Sequence, residues 1–292
     1  MNTVYGEIPY DRLDLWRRFC NYYYNCLRDV DRHMMKLIHS LEDTGQIDNT
    51  IIFMISDHGE MLGQQGARGK IVSWEESIRV PTLVYHPDLK DKKLCNSVIS
   101  NIDIVPTLLE FTGLSKSELR DKHPELKGNS YAELVENVNY DNVRDKEGHL
   151  IHGVQIIPTV FEVAEKFRHT ALADGFLAKT KAFMSEGKFL PDFTPPLNYK
   201  GVVDKKHKFL RFFSPRQNNI PTNYDELTKY NAEYQLYDLE NDPFEMNDLA
   251  KDENNRDLLM SMNDKCNTLA DKEIGLENHV IHLPGPDWFW TA

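Results

Sequence analysis

Residues 49–60 are Asn-Thr-Ile-Ile-Phe-Met-Ile-Ser-Asp-His-Gly-Glu. The apolar run at 51–55 is short, continuous and rich in β-branched side chains, which is typical of a strand buried on both faces of a parallel sheet. Asp57 and His58 follow at the carboxyl end of that strand. Open α/β sheets bind ligands just beyond the carboxyl ends of their strands. The stretch therefore predicts both an α/β fold and the position of a candidate site.

The segments on either side of this strand agree with a layered α/β fold. Apolar residues recur every three or four positions over 9–43, which predicts a long amphipathic helix whose aromatic side chains pack in a core. A second buried strand is predicted at 80–85, and a short helix at 101–112 that Gly113 terminates. Helices that alternate with buried strands point to an α/β architecture.

The character of the chain changes after the prolines at 191–196. Residues 208–213 and 234–239 are predicted strands of a small antiparallel sheet, followed by a helix at 254–272. We therefore expect two domains, an α/β core at 1–197 and a C-terminal subdomain at 198–292. A further helical pattern lies at 158–186.

Composition excludes several classes of protein. The chain has 292 residues, 40% of them hydrophobic, and a net charge of −12. This is too apolar for general disorder and excludes collagen and coiled coils. No apolar run approaches the roughly 18 residues of a membrane span. An acidic chain without a basic block is not expected to bind nucleic acid.

The cysteines and the N-terminus bear on the cellular compartment. Cys20, Cys26, Cys95 and Cys266 are too few and too scattered for a disulfide framework, and none has the C-x-x-C zinc spacing. We expect reduced, mostly structural thiols. The first residues lack the basic start and apolar region of a signal peptide. A cytoplasmic location is therefore expected if Met1 is the true start.

The residues after the first strand carry the candidate chemistry. The Asp57 carboxylate and the His58 imidazole are both good divalent-metal ligands, although the pair alone equally fits a helix cap beside a surface histidine. The glycine-rich loop that follows can approach a ligand closely, and it contains the cations Arg68 and Lys70. It is not a phosphate-binding P-loop, because the glycine spacing is one residue too long and Ile71 replaces the serine or threonine.

Residues 56–81 follow the pattern S-D-H-G-E-M-L-G-x-x-G-x-x-G-K-x-x-x-x-E-E-S-x-R-V-P. This pattern resembles the second signature region of the type I sulfatases, which belong to the alkaline phosphatase superfamily. Further segments resemble that family in the same order, at 49–52, 101–113, 126–130, 208–210 and 235–249. The resemblance covers most of 10–250 and leaves an insert at 140–198 unmatched, which we interpret as a lid or specificity element.

The resemblance implies a fold, an activity and roles for particular residues. The fold would be the later part of a mostly parallel sulfatase-like sandwich, with a small antiparallel C-terminal subdomain. Asp57 and His58 would bind the divalent metal, usually Ca²⁺, with Mg²⁺ or Mn²⁺ possible. Lys70 would contact a sulfate oxygen. Arg68 lies where substrate contacts often fall, and a solvated loop charge explains it equally well. The substrate would be a sugar, aryl or alkyl sulfate ester.

The chain departs from the family in what precedes this region. None of its cysteines begins the family's Cys-x-Pro-Ser-Arg motif, so formylglycine cannot form in this chain, and the family's N-terminal metal-binding Asp pair is absent. Two ligands fall short of the about six to eight that calcium takes. The chain alone is therefore expected to be inactive.

Three interpretations remain open at this point. The chain is the later portion of a sulfuric ester hydrolase whose missing half lies elsewhere. Alternatively, it is a non-catalytic remnant, or a subunit completed by a partner chain. In the third interpretation, the complete protein hydrolyses phosphate or phosphonate esters.

Overall fold

The computed structural model describes residues 8–70, 72–89, 91–154, 198–213, 220–230 and 233–275. The chain divides into two compact units, Met1–Asn96 with Tyr131–Tyr140, and Ser97–Ser130 with Asp141–Ala292. The predicted domain ranges, 1–197 and 198–292, stay predictions. The helical pattern at 158–186, and with it most of the 140–198 insert, lies outside the described residues.

The first unit begins with the predicted long helix. Helix α1 spans Leu13–Asp43 and ends before Gly45, whose φ of +68° is the left-handed conformation that glycine adopts most readily. The expected packing of this helix in a core is wrong, because none of its residues is buried. Tyr22 is 70% exposed and Leu37 is 69% exposed. The periodicity correctly indicated a helix with an apolar side, but periodicity does not specify what covers that side.

Two short strands follow α1. Strand β1 is Ile52–Met54 and strand β2 is Leu83–Tyr85, and they pair antiparallel with Phe53 opposite Val84. The prediction that these strands are buried on both faces of a parallel sheet is therefore wrong for this pair, which is only half-buried. The chain between them contains the one-turn helix α2, Glu75–Ile78, instead of the longer crossover helix that usually joins parallel strands.

Short helices joined by loops lie between β2 and the second sheet. Helix α3, Ile104–Phe111, confirms the prediction at 101–112 and follows a 3₁₀ turn at Asn101–Asp103. Helix α4, Lys116–Lys122, begins with a reciprocal Ser115–Glu118 capping box. Helix α5 is Ala132–Glu136 and helix α6 is Arg144–Glu147.

The second unit contains a four-stranded antiparallel sheet in the order β3-β4-β5-β6. Strands β5, His207–Phe213, and β6, Glu233–Asp238, confirm the predicted strands, with helix α7, Tyr224–Tyr230, between them. Strands β3, His149–Val154, and β4, Asn198–Val203, were not predicted. Each interrupts its β-branched run with polar residues and a glycine, which weakens the sequence signal for a strand.

Helix α8, Arg256–Glu273, covers one face of this sheet. Val202, Phe209 and Leu236 are the sheet residues at the centre of this core, and all three are fully buried. Burying one such side chain stabilises the fold by about 1.5–3 kcal/mol. Among the described helices, none is both long enough and apolar enough to cross a membrane.

Candidate functional site

A glycine turn positions the candidate site at the end of β1. The Gly59 N–H donates to the Ser77 carbonyl oxygen at 2.8 Å, which ties the turn to helix α2. A Cβ atom at position 59 would lie 2.0 Å from the carbonyl oxygen of Glu76, a distance that no side chain tolerates. Only glycine therefore allows this close approach, which sets the direction of the chain at Asp57 and His58.

Asp57 and His58 converge on each other. The His58 Nε2 atom lies 3.2 Å from Asp57 Oδ2, and the His58 backbone N–H donates to Asp57 Oδ1 at 3.0 Å. The Ser56 hydroxyl donates to the His58 carbonyl oxygen at 2.8 Å. The Asp57 side chain is 81% exposed, so the pair opens towards solvent. The two metal ligands predicted from the sequence therefore lie together, and the Asp57 carboxylate and the His58 ring are both accessible to solvent.

The ring orientation of His58 bears on whether the pair fits a cation. Its Nδ1 atom lies 2.9 Å from the Gly59 carbonyl oxygen, a contact that places a proton on that nitrogen. In the neutral imidazole, Nε2 then carries the electron pair that faces Asp57 Oδ2. Two electron-pair donors at this distance repel each other unless a second ring proton or a cation supplies positive charge. A carboxylate oxygen and an imidazole nitrogen in this arrangement fit a divalent cation.

The charge state of Asp57 agrees with such a role. Desolvation would raise the pKa of its carboxyl group, but the hydrogen bond from the His58 backbone N–H and the electrostatic interactions with His58 and Lys70 outweigh it and lower that pKa below its usual range. Asp57 is therefore an anion at neutral pH. The positive charge of Lys70 contributes to this lowered pKa. Lys70, the third predicted site residue, therefore interacts electrostatically with Asp57.

The glycine-rich loop folds back on itself between Gly59 and Lys70. Its tip is closed by the Gly63 N–H, which donates to the Ala67 carbonyl oxygen at 2.8 Å. Its base is closed by the Met61 N–H, which donates to the Gly69 carbonyl oxygen at 3.0 Å. Glu60 Oε1 accepts the Gly69 N–H at 2.5 Å. Glu60 belongs to the motif, but the sequence offered no spacing that pairs it with a residue nine positions later.

Arg68 lies elsewhere in the loop. Its guanidinium carbon is 5.8 Å from the centre of the Phe19 ring on α1, within the range of a cation–π contact. Part of its charge is thus directed at an aromatic face. A role of Arg68 in substrate contact stays a prediction.

The donor set within the described residues is a partial one. No group of three or more His, Cys, Asp or Glu side chains in the described ranges is placed to hold a metal ion. Asp57 and His58 are two potential ligands, and calcium takes about six to eight. The remaining ligands would come from water, substrate or polypeptide other than the described ranges.

Comparison with known proteins gives matches to one family. Residues 5–114 match the family model described as Sulfatase. An arylsulfatase from Clostridium perfringens (strain 13 / Type A) is 33% identical over 121 residues, which are 40% of this chain and 24% of that protein. These matches support membership of the type I sulfatase family. The match includes the Asp57–Lys70 segment and ends at the helix α3 region, so the most specific sequence motifs and the family model cover the same residues.

Solved structures show the sulfatase fold over most of the chain. A protein solved in complex with its substrate D-glucosamine-2-N,6-O-disulfate has a TM-score of 0.56 at 20% identity, covering 86% of this chain and 40% of that one. The phosphonate monoester hydrolase of Agrobacterium radiobacter has a TM-score of 0.58 at 21% identity, covering 86% of this chain and 41% of that one. The predicted fold class, an alkaline phosphatase-like α/β fold with an antiparallel sheet, is thereby confirmed. This chain spans less than half the length of these structures.

Proposed function

We propose that this chain forms the metal-binding and sulfate-contacting part of a sulfuric ester hydrolase. The observation that supports this proposal most directly is the convergence of Asp57 and His58 at 3.2 Å beside the charge of Lys70. The oxygens of a transferring sulfuryl group carry negative charge, and a bound metal together with Lys70 would stabilise that charge.

Each residue would have a distinct role. Asp57 and His58 would hold a divalent cation, most simply Ca²⁺, with Mg²⁺ or Mn²⁺ as alternatives. When bound, such a cation withdraws charge from the sulfate oxygens. Lys70 would donate a charge-assisted hydrogen bond to a sulfate oxygen and stabilise the negative charge that develops on the leaving oxygen. Asp57, already an anion at neutral pH, would bind the cation without first losing a proton.

The proposal also includes a substrate class, which the printed descriptions of two similar proteins support. One relative is named an arylsulfatase, and one structural neighbour was solved with a disulfated glucosamine. We therefore propose sulfate esters, of sugar, aryl or alkyl type, as substrates. The nucleophile would come from polypeptide outside these 292 residues, either another part of the gene product or a partner chain. If no such polypeptide exists, the chain would be a non-catalytic member of the family.

A phosphonate ester hydrolase is the second candidate function. The fold is similarly close to the phosphonate monoester hydrolase of Agrobacterium radiobacter. A cation and a lysine stabilise phosphonate oxygens by the same electrostatics as sulfate oxygens. The described residues fit either anion, and the match to the sulfatase family model is what favours the sulfate ester.

The test compares turnover of para-nitrophenyl sulfate and a para-nitrophenyl phosphonate ester by the full gene product, with calcium present. We expect the sulfate ester to be hydrolysed faster. Lys70→Ala should lower turnover by about a hundredfold, because a transition-state charge contact is lost. Lys93→Ala is the control, since this exposed lysine lies outside the loop. Unchanged turnover in Lys70→Ala would refute the assignment, and faster hydrolysis of the phosphonate would favour the second candidate.

A further inference from the structure

Glu60 is a carboxylate of the motif that the proposed chemistry does not use, and it stands at the start of the glycine-rich loop. It follows His58 by two residues, and its Oε1 atom accepts the backbone N–H of Gly69 at 2.5 Å. The same oxygen lies 3.5 Å from the Leu62 N–H. Its carboxylate therefore bridges the start and the end of the glycine-rich loop.

Gly69 is held at both of its polar backbone groups. Its carbonyl oxygen accepts the Met61 N–H at 3.0 Å, while its own N–H donates to Glu60. Its φ of +83° is a left-handed conformation that gives the chain a sharp change of direction immediately before Lys70. These two hydrogen bonds join Gly69 to Glu60 and Met61. The backbone next to Lys70 is therefore held against the segment that contains Asp57 and His58.

The bond from Glu60 is the one that a single side-chain substitution can remove. The Met61–Gly69 bond and the bond at the loop tip, from Gly63 to Ala67, are both between backbone atoms and would remain. A carboxylate acceptor makes a shorter hydrogen bond than a neutral one, roughly twice as strong. Without it, the loop would still close, but the position of Lys70 relative to Asp57 would be set less narrowly.

We propose that Glu60 is a positioning residue that fixes the Lys70 ammonium group relative to the Asp57–His58 metal site by holding the Gly69 peptide. This inference rests on the proposed function, because it assigns Lys70 a role at the reacting group. Glu60 itself would touch neither the metal nor the substrate. Its contribution to turnover would therefore pass through Lys70 alone.

The test is a double-mutant cycle in the full gene product, with para-nitrophenyl sulfate and calcium. Glu60→Ala should lower kcat by about 10–100-fold, since a displacement of about 1 Å at a reacting centre has effects of this size. Glu60→Gln keeps an oxygen acceptor and should stay within about threefold of wild type. In the Lys70→Ala background, Glu60→Ala should cause no further loss, because the residue through which it acts is gone.

Glu226→Ala is the matched control. Glu226 Oε2 accepts the Thr222 backbone N–H at 2.8 Å, so this variant removes a comparable carboxylate–amide bond outside the candidate site. Its kcat should equal that of wild type. Amide hydrogen exchange adds a readout independent of turnover, and the peptide covering 61–70 should lose protection in Glu60→Ala and keep it in Glu226→Ala.

The outcomes separate this inference from the proposed function. A wild-type protein that hydrolyses no sulfate ester, or a Lys70→Ala variant with normal turnover, would overturn the proposed function and this inference with it. Wild-type activity that depends on Lys70, with Glu60→Ala unaffected, would overturn the inference alone. An equal loss from Glu60→Ala in both backgrounds would also overturn it, since the effect would then be general destabilisation. Unchanged exchange at 61–70 would show that Glu60 does not hold the loop.

Discussion

Arg144 binds both carboxylate oxygens of Asp103, with Nε 2.5 Å from Oδ2 and Nη2 2.6 Å from Oδ1. Both side chains are buried. Arg144 Nη1 also reaches Glu273 Oε1 at 3.0 Å, which joins helices α6 and α8. Burial would lower the pKa of Arg144, but the two carboxylates outweigh it and raise that pKa. Asp103, which lies in the sulfatase-like segment 101–113 and immediately precedes helix α3, therefore forms a buried ion pair with Arg144.

We expect Arg144→Met to destabilise the protein by about 3–5 kcal/mol, because it leaves the Asp103 carboxylate buried without its cation. Urea unfolding of the full gene product measures this. Lys122→Met is the control, since it removes the exposed pair with Glu118 and should change stability very little. Equal losses in the two variants would contradict the importance of the buried pair. Adding Asp103→Asn to Arg144→Met should recover only part of the loss, since the Asp103 charge is then removed while the buried Glu273 carboxylate still lacks its cation.

A second prediction concerns pH and His149. Burial, followed by the charges of Arg144 and Lys208, lowers the pKa of His149 to about 4, and its buried Nδ1 atom has no hydrogen-bond partner among the described residues. The folded state thus binds this proton less readily than the unfolded chain, whose histidine pKa is about 6.5. The resulting stability is fully present above about pH 6.5 and is lost as the pH falls towards 4.

The measurement is the free energy of unfolding at several pH values between 4 and 7. In His149→Gln, the part of the pH dependence due to this histidine should disappear, an effect on the order of 2–3 kcal/mol across the range. His39→Gln changes an exposed histidine of α1 and should leave the wild-type pH dependence intact. A His149→Gln curve parallel to that of wild type would contradict the prediction.

A third prediction concerns the turn at Gly59. Gly59→Ala would place a methyl group 2.0 Å from the Glu76 carbonyl oxygen, so the turn must move. We expect a loss of stability of about 1–3 kcal/mol or more, as for other overpacked sites, together with weaker calcium binding. Differential scanning fluorimetry and calorimetric calcium titration measure the two effects.

Gly45→Ala is the control for Gly59→Ala, and it separates the effect of backbone strain from the effect of a close contact at the candidate site. Gly45, unlike Gly59, has a positive φ, and no atom lies within 4 Å of where its Cβ would be. This variant should lose about 1 kcal/mol through backbone strain alone and bind calcium normally. If Gly59→Ala behaved like Gly45→Ala in both measurements, the close approach to Glu76 would not matter for the site.

The fourth prediction concerns the metal. Calcium should raise the melting temperature of the full gene product, because a ligand that binds only the folded state stabilises it by mass action. A chelator should reverse the increase. Asp57→Asn removes a ligand charge while keeping the side-chain shape, and should weaken calcium binding by at least about tenfold. Asp48→Asn, at an exposed aspartate outside the site, should keep the full calcium response. An Asp57→Asn variant with the wild-type response would show that calcium binds elsewhere.

Local sequence was sufficient for several elements of the fold and for the pair at the candidate site. Helix α1, strand β5 and helix α8 lie close to their predicted positions, because apolar periodicity in the helices and a cluster of aromatic and apolar residues in the strand depend only on nearby residues. Asp57 and His58 are adjacent in the chain, so any turn after β1 keeps them together. Strands β3 and β4 were missed because their stabilisation comes from pairing across the sheet, which a single segment does not reveal.

The sequence by itself determined the resemblance to the sulfatases and the order of the motifs, since these depend on residue identity and spacing along the chain. Only the tertiary structure showed that β1 and β2 pair antiparallel, and that Glu60 reaches the Gly69 peptide nine residues away. It also showed that Arg144 joins Asp103, 41 residues distant, to Glu273, 129 residues distant. Such contacts form only when the packed chain brings remote segments within hydrogen-bond distance, and no local pattern specifies which segments those are.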